Sequence, residues 1–369
     1  PRKVRVVAPE ILVQIDEPKP GGTPGKPFSL KDAEAQARSV LQQIASAVPG
    51  MAAEVEAGRM ELHIGKRPPL RVDQIDMQLD VTADTISGKI ACHSNFWERF
   101  AAEFNLASKD LSGEGHAVLT GLKAADLGPL LGLQDGWPVQ EAAVGATLKW
   151  QMHGITDMQA QATLEAPKVG LQIGRGHAEL LAPAIEVAAQ IRGKSAEISV
   201  RRLKVESPQL EASARFAITD TGGYVLESET GNVDVAVLQS VATALLPDVD
   251  WLAQPPVILK SGTITAVKFS SAAATVADLF ALNAWRVTGA VDNVNISLPV
   301  YYDLPVNAIR GTVSIEQGVL HVREARARLA TSSAQEGSFD MNLNLDGLPM
   351  HVDVGVNADV AAVFADIGA

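Results

Sequence analysis

The sequence predicts a mainly β protein: antiparallel sheet with one oily face, one longer helix near the N-terminus and short helices between repeats. Three observations carry that prediction. From Ala53 onward apolar and polar residues alternate with a period of two. Pairs such as Ala57-Gly58, Ser87-Gly88, Ser261-Gly262 and Gln317-Gly318 punctuate the alternation as hairpin or turn signals. The apolar mass is aliphatic, with 47% of residues hydrophobic and only 5% aromatic.

The first stretch, residues 4–15, reads as a strand pair or one bent strand, and Pro18 to Pro27 as a Pro/Gly linker, so that 1–27 forms one segment. Residues 28–50 read as an amphipathic helix. Ser29 is placed to cap it, and Leu30, Ala33, Ala37, Val40, Leu41, Ile44 and Val48 recur at helical spacing before Pro49-Gly50. Its polar face carries both signs of charge, which favours packing on a sheet over lying on a membrane.

Residues 51–369 read as a repeated β region. Leu70, Val72, Ile75, Met77, Leu79 and Val81 alternate with polar residues, as do Ile198, Val200, Leu203 and Val205, then Phe339, Met341, Leu343 and Leu345. An internal repeat overlies the strands. Leu122–Leu131, Val233–Val241 and Asn357–Phe364 each set an Asp before a short apolar run of helical character. Trp137-Pro138 and Trp251 to Val257 follow the first two and lead into new strands, which places repeat breaks near residues 135 and 250. A spacing of roughly a hundred residues is too long for a solenoid coil and too irregular for a propeller blade. It suits a sheet growing by hairpins with helical punctuation.

At Val294–Pro299, Leu304-Pro305, Ile309–Val322 and Ala325–Leu329 the sequence resembles the AsmA-like family of periplasmic bridge-like lipid-transfer proteins, its YhdP type most of all. The shared phrase is a strand ending in Leu-Pro, a Gly-bearing strand, and a strand opening around Leu-x-Ala-x-Leu. It is distinct over about residues 290–369 and fainter at Val55–Leu62 with Leu70–Val81. The resemblance implies an elongated, strongly curved antiparallel β-sheet forming an open hydrophobic groove. It further implies a periplasmic protein anchored in the inner membrane that passes phospholipid acyl chains toward the outer membrane, with no catalytic residues and no cofactors. Val313, Ile315, Leu320 and Val322 then join the alternating residues above as candidate groove lining. The chain is read as a piece of a longer protein whose membrane segment lies elsewhere. Some 25 strands at about 4.8 Å would bound such a trough at about 120 Å. The alternative is a structural or assembly protein of the cell envelope that pairs its strand edges with protein partners.

Other function classes find little support. Lys and Arg total 31 against 43 Asp and Glu, a net charge of −12, with no basic run to neutralise phosphates, so nucleic acid is not an expected partner. Cys92 is the single cysteine, which forbids an intrachain disulfide. The seven histidines are scattered singly without ligand spacing, so no metal is expected. Gly21–Pro27 has Pro20 and Pro27 where a phosphate loop needs Gly and Ser or Thr. Asn342, Asn344, Asp346, Gly347 and Asp353 match a calcium loop loosely, but Pro349 interrupts it. No nucleophile elbow or carboxylate pair points to an enzyme. Arg201, Arg202 and Lys204, and Arg323, Arg326 and Arg328, read as charged outer sheet faces rather than headgroup sites. The five tryptophans read as core.

Overall fold

The computed structural model describes residues 2–15, 39, 43, 50–65, 67–131, 137–154, 156–173, 175–245, 258–298, 304–329, 332–344 and 349–357. Among them are 22 strands, two α-helices and two short 3-10 turns. The chain divides into two compact units, residues 1–171 with 181–198, and residues 172–180 with 199–369.

The first unit contains β1 (Arg2–Val7), β2 (Glu10–Ile15), β3 (Met51–Ile64), β4 (Leu70–Val81), β5 (Thr85–Ser94), β6 (Arg99–Ala107), β7 (Ser112–Lys123), helix α1 (Ala124–Leu131), β8 (Val139–His153) and β9 (Asp157–Glu165). β10 (Lys168–Ile173) and β11 (Gly176–Leu181) come next, then β12 (Ala184–Arg192), which returns to pair with β9. Eight strands, β3 to β9 and then β12, form an antiparallel series. β1 and β2 both run parallel to β3, which makes residues 4–15 one bent strand and the sheet mixed rather than purely antiparallel. A parallel pair requires a crossover connection. The expected helix over 28–50 falls in the connection between β2 and β3 and lies outside the described residues except for Ser39 and Gln43, both helical, and Gly50 in a turn.

After β13 (Ser195–Val205) the second unit contains β14 (Leu210–Ile218), β15 (Tyr224–Thr230), β16 (Val233–Asp234), helix α2 (Val235–Leu245), β17 (Ile258–Ala273), β18 (Trp285–Leu298), β19 (Leu304–Glu316), β20 (Val319–Leu329), β21 (Ser332–Asn342) and β22 (Met350–Asn357). Its series is again antiparallel, β14, β15, then β17 through β22. Both helices sit where the repeat was read, directly after a strand. Asp234 caps α2, its Oδ1 accepting from the N–H groups of Ala236 at 2.9 Å and Val237 at 3.1 Å. The Trp137 indole donates to the Ala124 carbonyl of α1 at 2.9 Å and lies against Gly128. The third copy of the repeat lies outside the described residues, apart from Asn357.

A line of β-bulges runs over the first strands of the first unit and across most of the second. Ala8, Ala57 and Gln74 have left-handed backbones on neighbouring strands, and the β3–β4 and β4–β5 registers shift at the last two. In the second unit Ala266, Asn293, Ala308, Glu324 and Glu336 do the same on the five consecutive strands β17 to β21. Each bulge inserts a residue, bends its strand and increases the twist. Three expected turns are therefore not turns. Ala57-Gly58 and Ser261-Gly262 are bulges inside β3 and β17, and Ser87-Gly88 lies mid-strand, where the Phe104 ring covers the bare glycine. Gln317-Gly318 is a turn, with both residues left-handed as a tight hairpin demands.

Buried apolar side chains gather at strand ends and turns. Val81 and Ile86 flank the β4–β5 turn with Leu79 and Phe104 against them. Leu279, in the 3-10 turn after β17, is fully buried, and its carbonyl accepts from Ser271 Oγ at 2.8 Å and Trp285 Nε1 at 3.1 Å.

Candidate functional site

Residues directly opposite on paired strands point to the same face, so the registers decide which side chains share a surface. In the first unit one row runs Val55, Met77, Ile90, Ala102, Ala117, Leu148, Ala162, Val187 across eight strands. Every member is apolar, and none is buried. In the second unit Phe269, Val287, Ile315, Leu320, Met341 and Met350 form a row across six strands, again with none buried. In a two-layer domain the inner face of central strands is closed off by a second layer. Here the aliphatic faces keep partial exposure along their length.

The bulges are what keep these faces apolar. In β4 the apolar positions slip from Leu70 and Val72 to Ile75, Met77, Leu79 and Val81, and the extra residue at Gln74 returns both sets to one side. Ala308 does the same between Val306 and Ile309 in β19, and Glu324 between Val322 and Ala325 in β20. Without the insertion, half of each strand would turn its oily residues to the opposite face.

The six candidates on β4 thus share one surface. So do Val313, Val322 and Phe339, which are direct partners, and Ile315, Leu320 and Met341 in the next row. On β13 Ile198 is exposed, Val200 and Leu203 are half-buried and Val205 is buried. β21 stops at Asn342, so Leu343 sits in the following turn and does not continue the strand row, while Leu345 lies outside the described residues.

The opposite faces are polar and largely zipped by cross-strand ion pairs. Lys3–Glu54 at 2.8 Å, Arg5–Glu56 and Arg71–Glu61 at 3.1 Å tie the first strands together. Arg215–Glu227 at 3.1 Å and Arg310–Asp292 at 3.0 Å do so in the second unit. His321 Nδ1 at 2.6 Å and Arg323 at 2.5 Å hold the Asp340 carboxyl below its ordinary range. Arg202 likewise pairs with Glu211 at 2.9 Å, so two members of the basic clusters serve the sheet face.

Two concavities open in the first unit, of about 680 and 590 Å³; the larger is lined mostly by polar-face residues together with Phe104 and Trp150, and the smaller mixes Glu54, Gln78, Lys89 and Glu103 with Val55, Met77, Ile90 and Ala102 of the apolar row. Alternation fixes which residues share a face but not which face the twist makes hollow.

Reactive chemistry is sparse. Burial pushes the Cys92 thiol up, which keeps it protonated and unreactive. Among the described residues no group of three or more His, Cys, Asp or Glu side chains is placed to hold a metal ion, and no helix is long and apolar enough to cross a membrane. Comparison with protein-family models, curated proteins and solved structures gives no match.

Proposed function

We propose that this chain is a non-enzymatic carrier that holds phospholipid acyl chains on its aliphatic sheet faces and passes them between the bacterial inner and outer membranes. The single observation that carries the reading is the eight-strand row from Val55 to Val187, apolar throughout and nowhere buried. A fatty chain gains about 0.8 kcal/mol per methylene withdrawn from water, so a sixteen-carbon tail gains on the order of 12 kcal/mol from continuous apolar cover. Discontinuous cover would trap the tail at each gap. The likeness to the AsmA-like family supports the same reading, and with it a periplasmic setting with attachment to the inner membrane.

The test is direct. The protein, purified without detergent and extracted with organic solvent, should release phospholipid detectable by mass spectrometry. Preparations that retain their fold and yield no phospholipid or fatty acid would end this proposal.

A second reading, envelope assembly through strand-edge pairing, is favoured by β22. It pairs with β21 alone among the described residues, and Met350, Val352 and Val356 are 64%, 58% and 60% exposed. A specific protein crosslinked to β22 in lipid-free material would select it.

A further inference from the structure

The 680 Å³ concavity on the polar face of the first unit differs from the rest of that surface in its chemistry. Its floor is two adjacent rows crossing β4 to β9. One runs Gln78, Lys89, Glu103, His116, Lys149, Gln161; the other runs Asp80, Ser87, Asn105, Glu114, Gln151, Gln159. Elsewhere the polar faces are cross-linked by ion pairs. Here Lys89–Glu103 at 2.9 Å is the one side-chain bond within the two rows among the described residues.

Five carboxamides, Gln78, Asn105, Gln151, Gln159 and Gln161, therefore face the hollow without a side-chain hydrogen-bond partner among the described residues. A carboxamide offers two donors and one acceptor in a plane, which suits vicinal hydroxyls that both give and receive. Two lysines stand against three carboxylates, so the floor has neither the cationic excess a phosphate requires nor the anionic excess a polycation requires. Its volume lies within the usual range for ligand sites. Neighbouring strands repeat every 4.8 Å or so, giving a floor about 24 Å long across six strands. That repeat is close to the advance of one sugar in an extended β-linked glycan, so each strand would meet one residue of such a chain.

We propose that this concavity binds a neutral, linear oligosaccharide lying across the strands, held by the carboxamide rows. The lining also includes Phe104 and Trp150 of the intervening row, whose rings lie against Gly88 and Gly115, and binding rests chiefly on hydrogen bonds to the carboxamides; dissociation constants of about 0.1–1 mM are expected. Isothermal titration of the full chain with cellohexaose, chitohexaose and mannohexaose tests this. At least one hexasaccharide should bind, and Gln151→Ala with Gln159→Ala together should weaken it tenfold or more, while Lys268→Ala on the second unit leaves it unchanged. Should the double variant not fold, the side-chain amide resonances of Gln151 and Gln159 in the unaltered chain should shift on adding the same sugar. The proposal is overturned if none of the three sugars binds, if an extended polar peptide binds in their place, or if binding survives both substitutions or leaves both resonances unmoved.

Discussion

Leu279 and Met77 are both large apolar side chains, yet they stand in opposite situations. Leu279 is fully enclosed in its 3-10 turn, whereas Met77 sits in mid-strand with part of its surface still open. Leu279→Ala should cost about 3 kcal/mol by loss of transfer energy and creation of a cavity. Met77→Ala and Leu320→Ala should each cost about 1 kcal/mol, because much of what they lose was never withdrawn from water. Denaturant titration of the three variants checks this, and equal costs would mean the aliphatic faces are filled in solution. Asp340 provides a pH test. Its hydrogen bond from His321, then its bond and charge contact with Arg323, depress its pKa, so its contribution to stability is present above the ordinary aspartate value near 4 and is lost as pH falls through the lower folded value. Asp340→Asn should therefore melt below the native chain at pH 6, with the gap closing as pH drops under about 4. A gap independent of pH would show that the carboxylate charge is not what matters.

At the scale of the strand, the bulges reconcile a slipping hydrophobic pattern with a single oily face. Gly262 in β17 has φ +117°, and a Cβ there would lie 2.4 Å from Val294 Cα. Gly262→Ala should cost about 2 kcal/mol through backbone strain and that clash. Gly231, in the β15–β16 connection with nothing within 4 Å, should tolerate Ala within about 0.5 kcal/mol. Thermal melts of both compare them, and similar shifts would mean the bulge relaxes freely. Much of this was legible in the sequence. The jump from Val72 to Ile75 is visible as a phase slip, and it recurs as Val55 to Gly58, Val291 to Val294 and Val306 to Ile309. What alternation does not encode is the left-handed backbone at Gln74 or Ala308, since neither residue type demands it. Ser87-Gly88 misleads for a different reason, because its glycine serves the ring of Phe104 on the next strand. β1 and β2 run parallel to β3 because of a crossover that local periodicity does not register.

For the whole molecule, the repeated theme is a sheet whose two faces differ in chemistry, one aliphatic and one polar. The assignment of β4 to an oily face of the first unit, and of β19, β20 and most of β21 to an oily face of the second, could be read from residue identity, since alternation reports directly on facing. The hollow on the polar side could not, because it arises from twist accumulated over many strands. Each unit nevertheless has eight strands in antiparallel series, bulges with left-handed residues, and a short helix with an Asp at or just inside its start. The most direct measurement of the central claim is site-resolved photocrosslinking to co-purified lipid, with benzoylphenylalanine placed at Met77 or Ile315 on the oily faces and at their neighbours Gln78 or Ser314 on the polar ones. The account predicts phospholipid-sized mass adducts at Met77 and Ile315 and none at Gln78 and Ser314; adducts at both sets alike, or at neither, would contradict it.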